Sequence, residues 1–222
     1  MSVERQVYLE DAIDWLKKQK NLSACSFVAS LPDISEFHGY TLERYRDWFL
    51  DTAKLVLSVC PDDGVTLFFQ SDIKLDGVWV DKGYLCQKAA ESLGHAELFH
   101  KILCRFAPGT RTFGRPSYSH LLAFSKNIKA DTSRSTPDVV PDIGEKVWER
   151  GMGLEACLIA GEFIQTQTAM RTVVNPFCGQ GSMLAVANAL GMNAIGIERS
   201  PKRVEIAKTL QVDLQEKRWN VF

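Results

Sequence analysis

The stretch RTVVNPFCGQGSMLAVANALGMNAIGIERS, Arg171 to Ser200, decides the fold. It reads as a strand into Asn175, a turn carrying Gly179 and Gly181, a helix, and a second strand that ends on an acid, Glu198. A nucleotide-binding sheet normally begins with such a unit. Here it comes near the end of the chain, so the residues before it need a role of their own.

Without side chains, Gly179 and Gly181 let the main chain turn tightly and approach a ligand, while the helix start offers free N–H groups. The turn lacks the three-glycine spacing of a dinucleotide fingerprint and the GK[ST] of a phosphate loop, which disfavours a pyrophosphate ligand. Such a turn alone is also an ordinary strand-to-helix connection. Glu198 tips the reading, because a carboxylate about 20 residues on can accept from both hydroxyls of a ribose. Asn175, Phe177, Gly179, Gly181, Ser182, Glu198 and Arg199 are therefore the candidate binding residues for a nucleoside without phosphates, a description that S-adenosyl-L-methionine fits.

Upstream, apolar runs alternate between strand and helix. VYLE leads into the helix DAIDWLKK, and SACSFVAS is a buried strand stopped at Pro32. TLERYRDWFLDTAKLVLSVC places Leu42, Tyr45, Phe49 and Val56 on one helix face, and VTLFFQS is a further buried strand. DKGYLCQKAAESLG reads as a helix capped by Asp81 and closed by Gly94, followed by the strands AELFHKILCRF and SYSHLLAFSK. Residues 127–142 are polar and carry two prolines, so they read as a linker; GEKVWERGMGLEACLIAGEFIQT reads as a helix. The pattern indicates an α/β domain with a mostly parallel, doubly wound sheet. Two strands without a helix between them put an antiparallel strand at one sheet edge.

The segment NPFCGQGSMLAVANALGMNAIGIERSPKRVEIAKTL resembles the cofactor motif of the amino-group DNA methyltransferases and their RNA relatives, the N6-adenine and N4-cytosine type. One class of that family is circularly permuted, with the catalytic half first. The resemblance implies a Rossmann-like, seven-stranded class I methyltransferase fold in one domain, 1–222: catalytic half 1–126, linker 127–142, cofactor half 143–222. It also places Asp11 at the acid that meets the adenine, with Ala12 offering its N–H, although Asp11 suits a helix cap equally. Met152 and Gly153 match the segment that closes over the methionine end.

In the family, a D/N/S-P-P-aromatic tetrapeptide holds the target amino group and stacks on a flipped base. Its counterpart here is Ser30, Leu31, Pro32 and Asp33. Ser30 and the Leu31 carbonyl can still accept hydrogen bonds, but Asp33 replaces the aromatic, which leaves stacking to Phe37, His38 or Tyr40. Asp33 itself reads either as an acceptor that orients or deprotonates an amine, or as the start of a turn. The loop RFAPGTRTFGRPSYSH interleaves Arg105, Arg111 and Arg115 with Phe106, Phe113 and Tyr118, a pattern able to hold phosphates and stack bases. Lys74, Trp79 and Lys82 follow another strand, where open sheets place ligands.

With 222 residues, 45% of them hydrophobic, the chain can bury one sizeable core. Its net charge of −1 draws it to no phosphate backbone overall, so nucleic acid would be met through the local basic-aromatic loop or a recognition partner protein. Six cysteines form no CxxC pair and no zinc spacing; they read as buried thiols of a reducing compartment, the cytoplasm first and the nucleus not excluded. No targeting segment, membrane span or metal set is expected. The function that follows is methyl transfer to a base amino group by direct displacement, RNA ahead of DNA because no insertion is large enough for a recognition domain. The rivals are a protein or small-molecule methyltransferase and a non-catalytic, cofactor-binding partner subunit.

Overall fold

The computed structural model describes residues 3–20, 22–134 and 136–220; the outermost bounds of the expected domain lie outside them. The elements run β1 (Arg5–Leu9), α1 (Ala12–Lys18), β2 (Cys25–Ala29), α2 (Leu42–Val59), β3 (Thr66–Gln70), β4 (Ile73–Leu75), β5 (Val78–Val80), α3 (Lys82–Ser92), β6 (Ala96–Cys104), β7 (Tyr118–Ser125), β8 (Val139–Val140), α4 (Leu154–Gln167), β9 (Thr172–Asn175), α5 (Ser182–Ala189), β10 (Asn193–Glu198), α6 (Pro201–Thr209), β11 (Gln211–Asp213) and β12 (Arg218–Asn220). Short 3₁₀ turns at Ile34–Glu36 and Thr132–Arg134 complete them.

Eight strands form one sheet in the order β1-β10-β9-β2-β3-β7-β6-β8. Residues that alternate along a buried strand feed opposite faces. Phe27 of β2, Phe68 of β3 and Leu122 of β7 pack with α1, α2 and α3, while Val28, Leu67 and Leu121 pack with α4 and α5. The chain moves outward from β9 to β10 and, in the other direction, from β2 to β3. The switch point therefore lies between β9 and β2, where open α/β sheets bind ligands at the carboxyl ends of their strands.

β1, first in the chain, pairs in parallel with β10, the last strand of the main sheet in chain order. Arg5 ties the two ends together: its guanidinium donates to Asn188 Oδ1 at 2.7 Å and to the Leu210 carbonyl at 2.6 Å. Burial lowers its pKa, as expected for a cation whose partners are neutral oxygens.

Three sequence expectations change. The antiparallel strand is β7, which lies inside the sheet between β3 and β6 and runs against both. The edge is an eighth strand, β8, parallel to β6 and drawn from the expected linker. Lys101 holds this segment by donating to the carbonyls of Thr136 and Pro137 at 3.1 and 2.9 Å; two valines between Pro137 and Pro141 are too short to register as a periodic strand. The helix expected from Gly144 begins at Leu154, because Gly144 has φ +80° and a Cβ on Gly153 would stand 2.0 Å from the Ile143 carbonyl oxygen. That close turn makes residues 144–153 a loop over the switch point. β4 and β5 form a separate hairpin whose two-residue Asp76–Gly77 turn has φ of +50° and +76°, the conformation that Asp-Gly favours.

Candidate active-site cleft

A cleft of about 210 Å³ opens at the carboxyl ends of β9, β10, β1, β2 and β3. Of the sequence candidates it gathers Asp11, Ala12, Ser30, Pro32, Asp33, Arg115, Met152, Asn175, Phe177, Gly179, Ser182, Glu198 and Arg199 along its walls.

One end of the cleft, around Asn175, Gly179 and Glu198, is built by backbone. Asn175 Oδ1 accepts from the Phe177 N–H at 3.2 Å, which sets the turn after β9. Gly179 has φ +56°, and a Cβ there would come within 3.2 Å of the Trp148 ring, so the loop over the cleft rests directly on the turn. Gly181, at φ +86°, lies outside the cleft: a Cβ would stand 2.8 Å from Ala207 Cα, and this glycine lets α6 pack on the turn. Gly153 is likewise a packing position behind buried Met152.

Glu198 closes β10 and is buried. Its Oε1 accepts from the Ser200 N–H at 2.8 Å, and Arg203 stands 3.7 Å away with its guanidinium over Trp148. Asp11 is exposed and caps α1, its Oδ1 accepting from Ile13 and Asp14 N–H at 2.9 and 3.2 Å. In both carboxylates the second oxygen has no hydrogen bond among the described residues. The sulfur of Cys178 packs in the turn, and burial pushes its thiol pKa up to about 12, so it stays protonated.

The other end is built by charged side chains from distant segments. After β2, Ser30 is half-buried, and the Pro32 carbonyl is taken by the Tyr45 hydroxyl at 3.0 Å. Asp33 caps the 3₁₀ turn through Ser35 N–H, and its Oδ2 pairs with both Lys82 Nζ and Arg115 Nη2 at 3.2 Å. Burial alone would raise the Asp33 pKa; Lys82, Arg115 and the Ser35 N–H more than offset it and hold the carboxyl below its ordinary value. An ionised, doubly paired carboxylate is a poor acceptor for a proton at neutral pH.

Lys82 is 3% exposed, and burial lowers its pKa while Asp33 supports its charge. Its N–H donates to Asp72 Oδ1 at 2.8 Å, and Asp72 Oδ2 takes Trp79 Nε1 and His120 Nε2, each at 3.0 Å. Asp72, Asp81 and His120 bring oxygen and nitrogen atoms together as a metal set would. The protein's own donors already occupy Asp72, and Asp81 caps α3.

Phe37 and Trp48, 4.4 Å apart between ring centroids, line this end, whereas Tyr40 sits behind Phe37 beneath Arg44, outside the cleft. His38 lies outside the cleft as well. Arg111 and Phe113 line a separate shallow groove with Lys74, Trp79 and Tyr118. Sequence reading passed over Gln70, Trp48, Lys146, Trp148 and Arg203. Gln70 was legible only as the polar residue that ends an apolar strand; Lys146 and Trp148 were hidden by the helix expected across them.

No protein-family model and no curated protein matches the sequence. Solved structures do. TTHA0409 of Thermus thermophilus, provisionally assigned as a DNA modification methylase and complexed with S-adenosyl-L-methionine, superposes with a TM-score of 0.69 at 20% identity over 93% of both chains. PvuII DNA methyltransferase, cytosine-N4-specific, gives 0.67 at 16% identity over 93% of this chain and 86% of that one. The M1.HpyAVI–SAM complex gives 0.62 at 16% identity, over 92% and 97%. The chain has the mostly parallel α/β fold of these structures.

Proposed function

We propose that the protein is an S-adenosyl-L-methionine-dependent N-methyltransferase acting on an amino group of a nucleic-acid base. One observation carries the reading: a phosphate-free nucleoside cradle and an amine-accepting strand end, Ser30 to Pro32, line a single cleft at the switch point. The cradle fits that cofactor. Glu198 and Asp11 each keep one carboxylate oxygen for ribose hydroxyls and for an adenine amino group, and Ala12 sits in the first turn of α1, where N–H groups have no intrahelical partner. No lysine or arginine of the turn 176–181 is present to neutralise a pyrophosphate.

When bound, the cofactor supplies a sulfonium-activated methyl group. The chain's task is to hold the target nitrogen in line and to accept its hydrogen bonds. Ser30 Oγ and the Leu31 carbonyl are the acceptors, since Tyr45 occupies the Pro32 carbonyl. Positive charge would grow on the nitrogen as it accepted the methyl group, and the proton it gives up would leave to solvent. Asp33, ionised and fixed by Lys82 and Arg115, faces that charge electrostatically. Phe37 and Trp48 offer the stacking surface that the tetrapeptide lacks.

The neighbours described as DNA methylases align over 93% and 86% of their own length. The lack of a large insertion therefore does not favour RNA over DNA, and both are targets to try. The test is transfer of labelled methyl from S-adenosyl-L-methionine into separate RNA, DNA, protein and small-molecule fractions. The proposal expects label in a nucleic-acid fraction, lost in Ser30→Ala. Label confined to protein or small molecules, or to none while the cofactor binds, rejects it.

A further inference from the structure

Buried donors without a partner identify what a cleft is built to receive. Among the described residues, Arg105 Nη1 and Gln70 Nε2 are buried side-chain donors with no hydrogen-bond partner, and both residues line the target end of the cleft. Arg105 opens the β6–β7 connection, Arg115 lies near its end, and Lys146 lies in the loop over the switch point, so two separate segments bring three cations to one place. Lys82 is matched by Asp33, Arg150 by Glu36 at 3.7 Å and Arg203 by Glu198, while Arg199 lines the opposite, Glu198 end of the cleft. Arg105 and Lys146 make no ion pair among the described residues; Lys146 donates only to the Glu149 carbonyl at 2.7 Å.

We propose that Arg105, Arg115 and Lys146 form a niche for one phosphate of the substrate strand, which makes the target a nucleotide within a single strand rather than a free amine. The inference rests on the methyltransferase reading and adds the contact that selects its substrate.

The mutual cost of these charges supports it. Burial lowers the pKa of Arg105, with Arg115 adding to the effect, and burial lowers that of Lys146, with Arg105 and Arg115 adding. An anion between the three would relieve that repulsion. Asp33 does so for Arg115, through an oxygen it shares with Lys82, and Glu149 offsets part of it for Arg105 and Lys146 without forming an ion pair with either. A carboxylate is thus already supplied at this point, and the donors left over come from several directions, as phosphate oxygens require. Phe106, half exposed with Arg105 near its ring at 5.8 Å, and Phe113, almost wholly in solvent, extend from the same connection and offer faces on which neighbouring bases of a single strand can stack.

The test is fluorescence anisotropy with short, labelled single-stranded RNA and DNA, for the wild type, Arg105→Gln and Lys146→Gln, across a salt series. Calorimetric titration with S-adenosyl-L-methionine and thermal melting run alongside on each variant. The niche predicts about tenfold weaker strand binding in Arg105→Gln, a salt slope shallower by about 0.7, a smaller change of the same kind in Lys146→Gln, and unchanged cofactor titration and melting. A strand of the same sequence with neutral methylphosphonate linkages should bind the wild type as weakly as charged strand binds the variant. Equal affinity and slope in all three proteins overturns the niche. So does a mononucleotide or inorganic phosphate that competes at the strand's own concentration, or an oligoglutamate bound through Arg105 in preference to nucleic acid. If the cofactor fails to bind the wild type, the methyltransferase reading falls by that separate readout.

Discussion

The two ends of the cleft are built by different means. Around Asn175, Gly179 and Glu198, one continuous stretch of 30 residues from Arg171 to Ser200 shapes the surface through backbone turns and a strand-end acid. Around Asp33, side chains from the segment after β2, the β6–β7 connection, α3 and the loop before α4 converge, and charge rather than backbone shapes the surface. A local site is robust to distant substitutions and can be read as a motif. A converging site depends on every contributor, and each charge in it is held by another.

The largest expected effect breaks the charged end. Asp33→Ala leaves the ammonium of Lys82 buried without its carboxylate, at a cost of about 3–5 kcal/mol in urea unfolding, and adding Lys82→Met should recover most of it. Cofactor affinity of the folded fraction should be unchanged, because the nucleoside end shares no ion pair with Asp33. The backbone-built end breaks next: Gly181→Ala places a Cβ at positive φ against Ala207 and should cost about 1–3 kcal/mol.

Acid sharpens the contrast. Asp33 and Asp72 both have lowered pKa values in the fold. A lowered carboxylate contributes stability above its unfolded pKa and loses it as pH falls through the folded value. Unfolding midpoints should therefore hold near neutrality and fall below about pH 4, less steeply in Asp33→Asn. The smallest effect concerns Asp11, whose cap on α1 is worth about 1 kcal/mol. Asp11→Asn, which keeps the cap, should melt like the wild type yet bind the cofactor more weakly. Equal binding would reduce Asp11 to a cap alone.

The strand-turn-helix-strand unit was legible because its information is local: β-branched run, paired glycines and acid lie within one stretch of sequence. The alternation of elements before it was legible for the same reason, down to Asp81 as the cap of α3. β8 was not, since two valines carry no period, and the loop 144–153 was not, since its apolar spacing imitates a helix until the close approach of Gly153 to Ile143 forbids one. Nor was the pairing of Asp33 with Lys82 and Arg115. It joins residues far apart in sequence and exists only once β2, α3 and the β6–β7 connection share one end of the sheet.

The most direct measurement is the identity of the methylated atom: digest nucleic acid labelled by the protein and S-adenosyl-L-methionine to nucleosides, and determine by mass spectrometry where the methyl sits. The account predicts an exocyclic amino nitrogen, with the label lost in Ser30→Ala and reduced in Arg105→Gln. A methyl on ribose oxygen or ring carbon, or label recovered only in protein or small molecules, would contradict it.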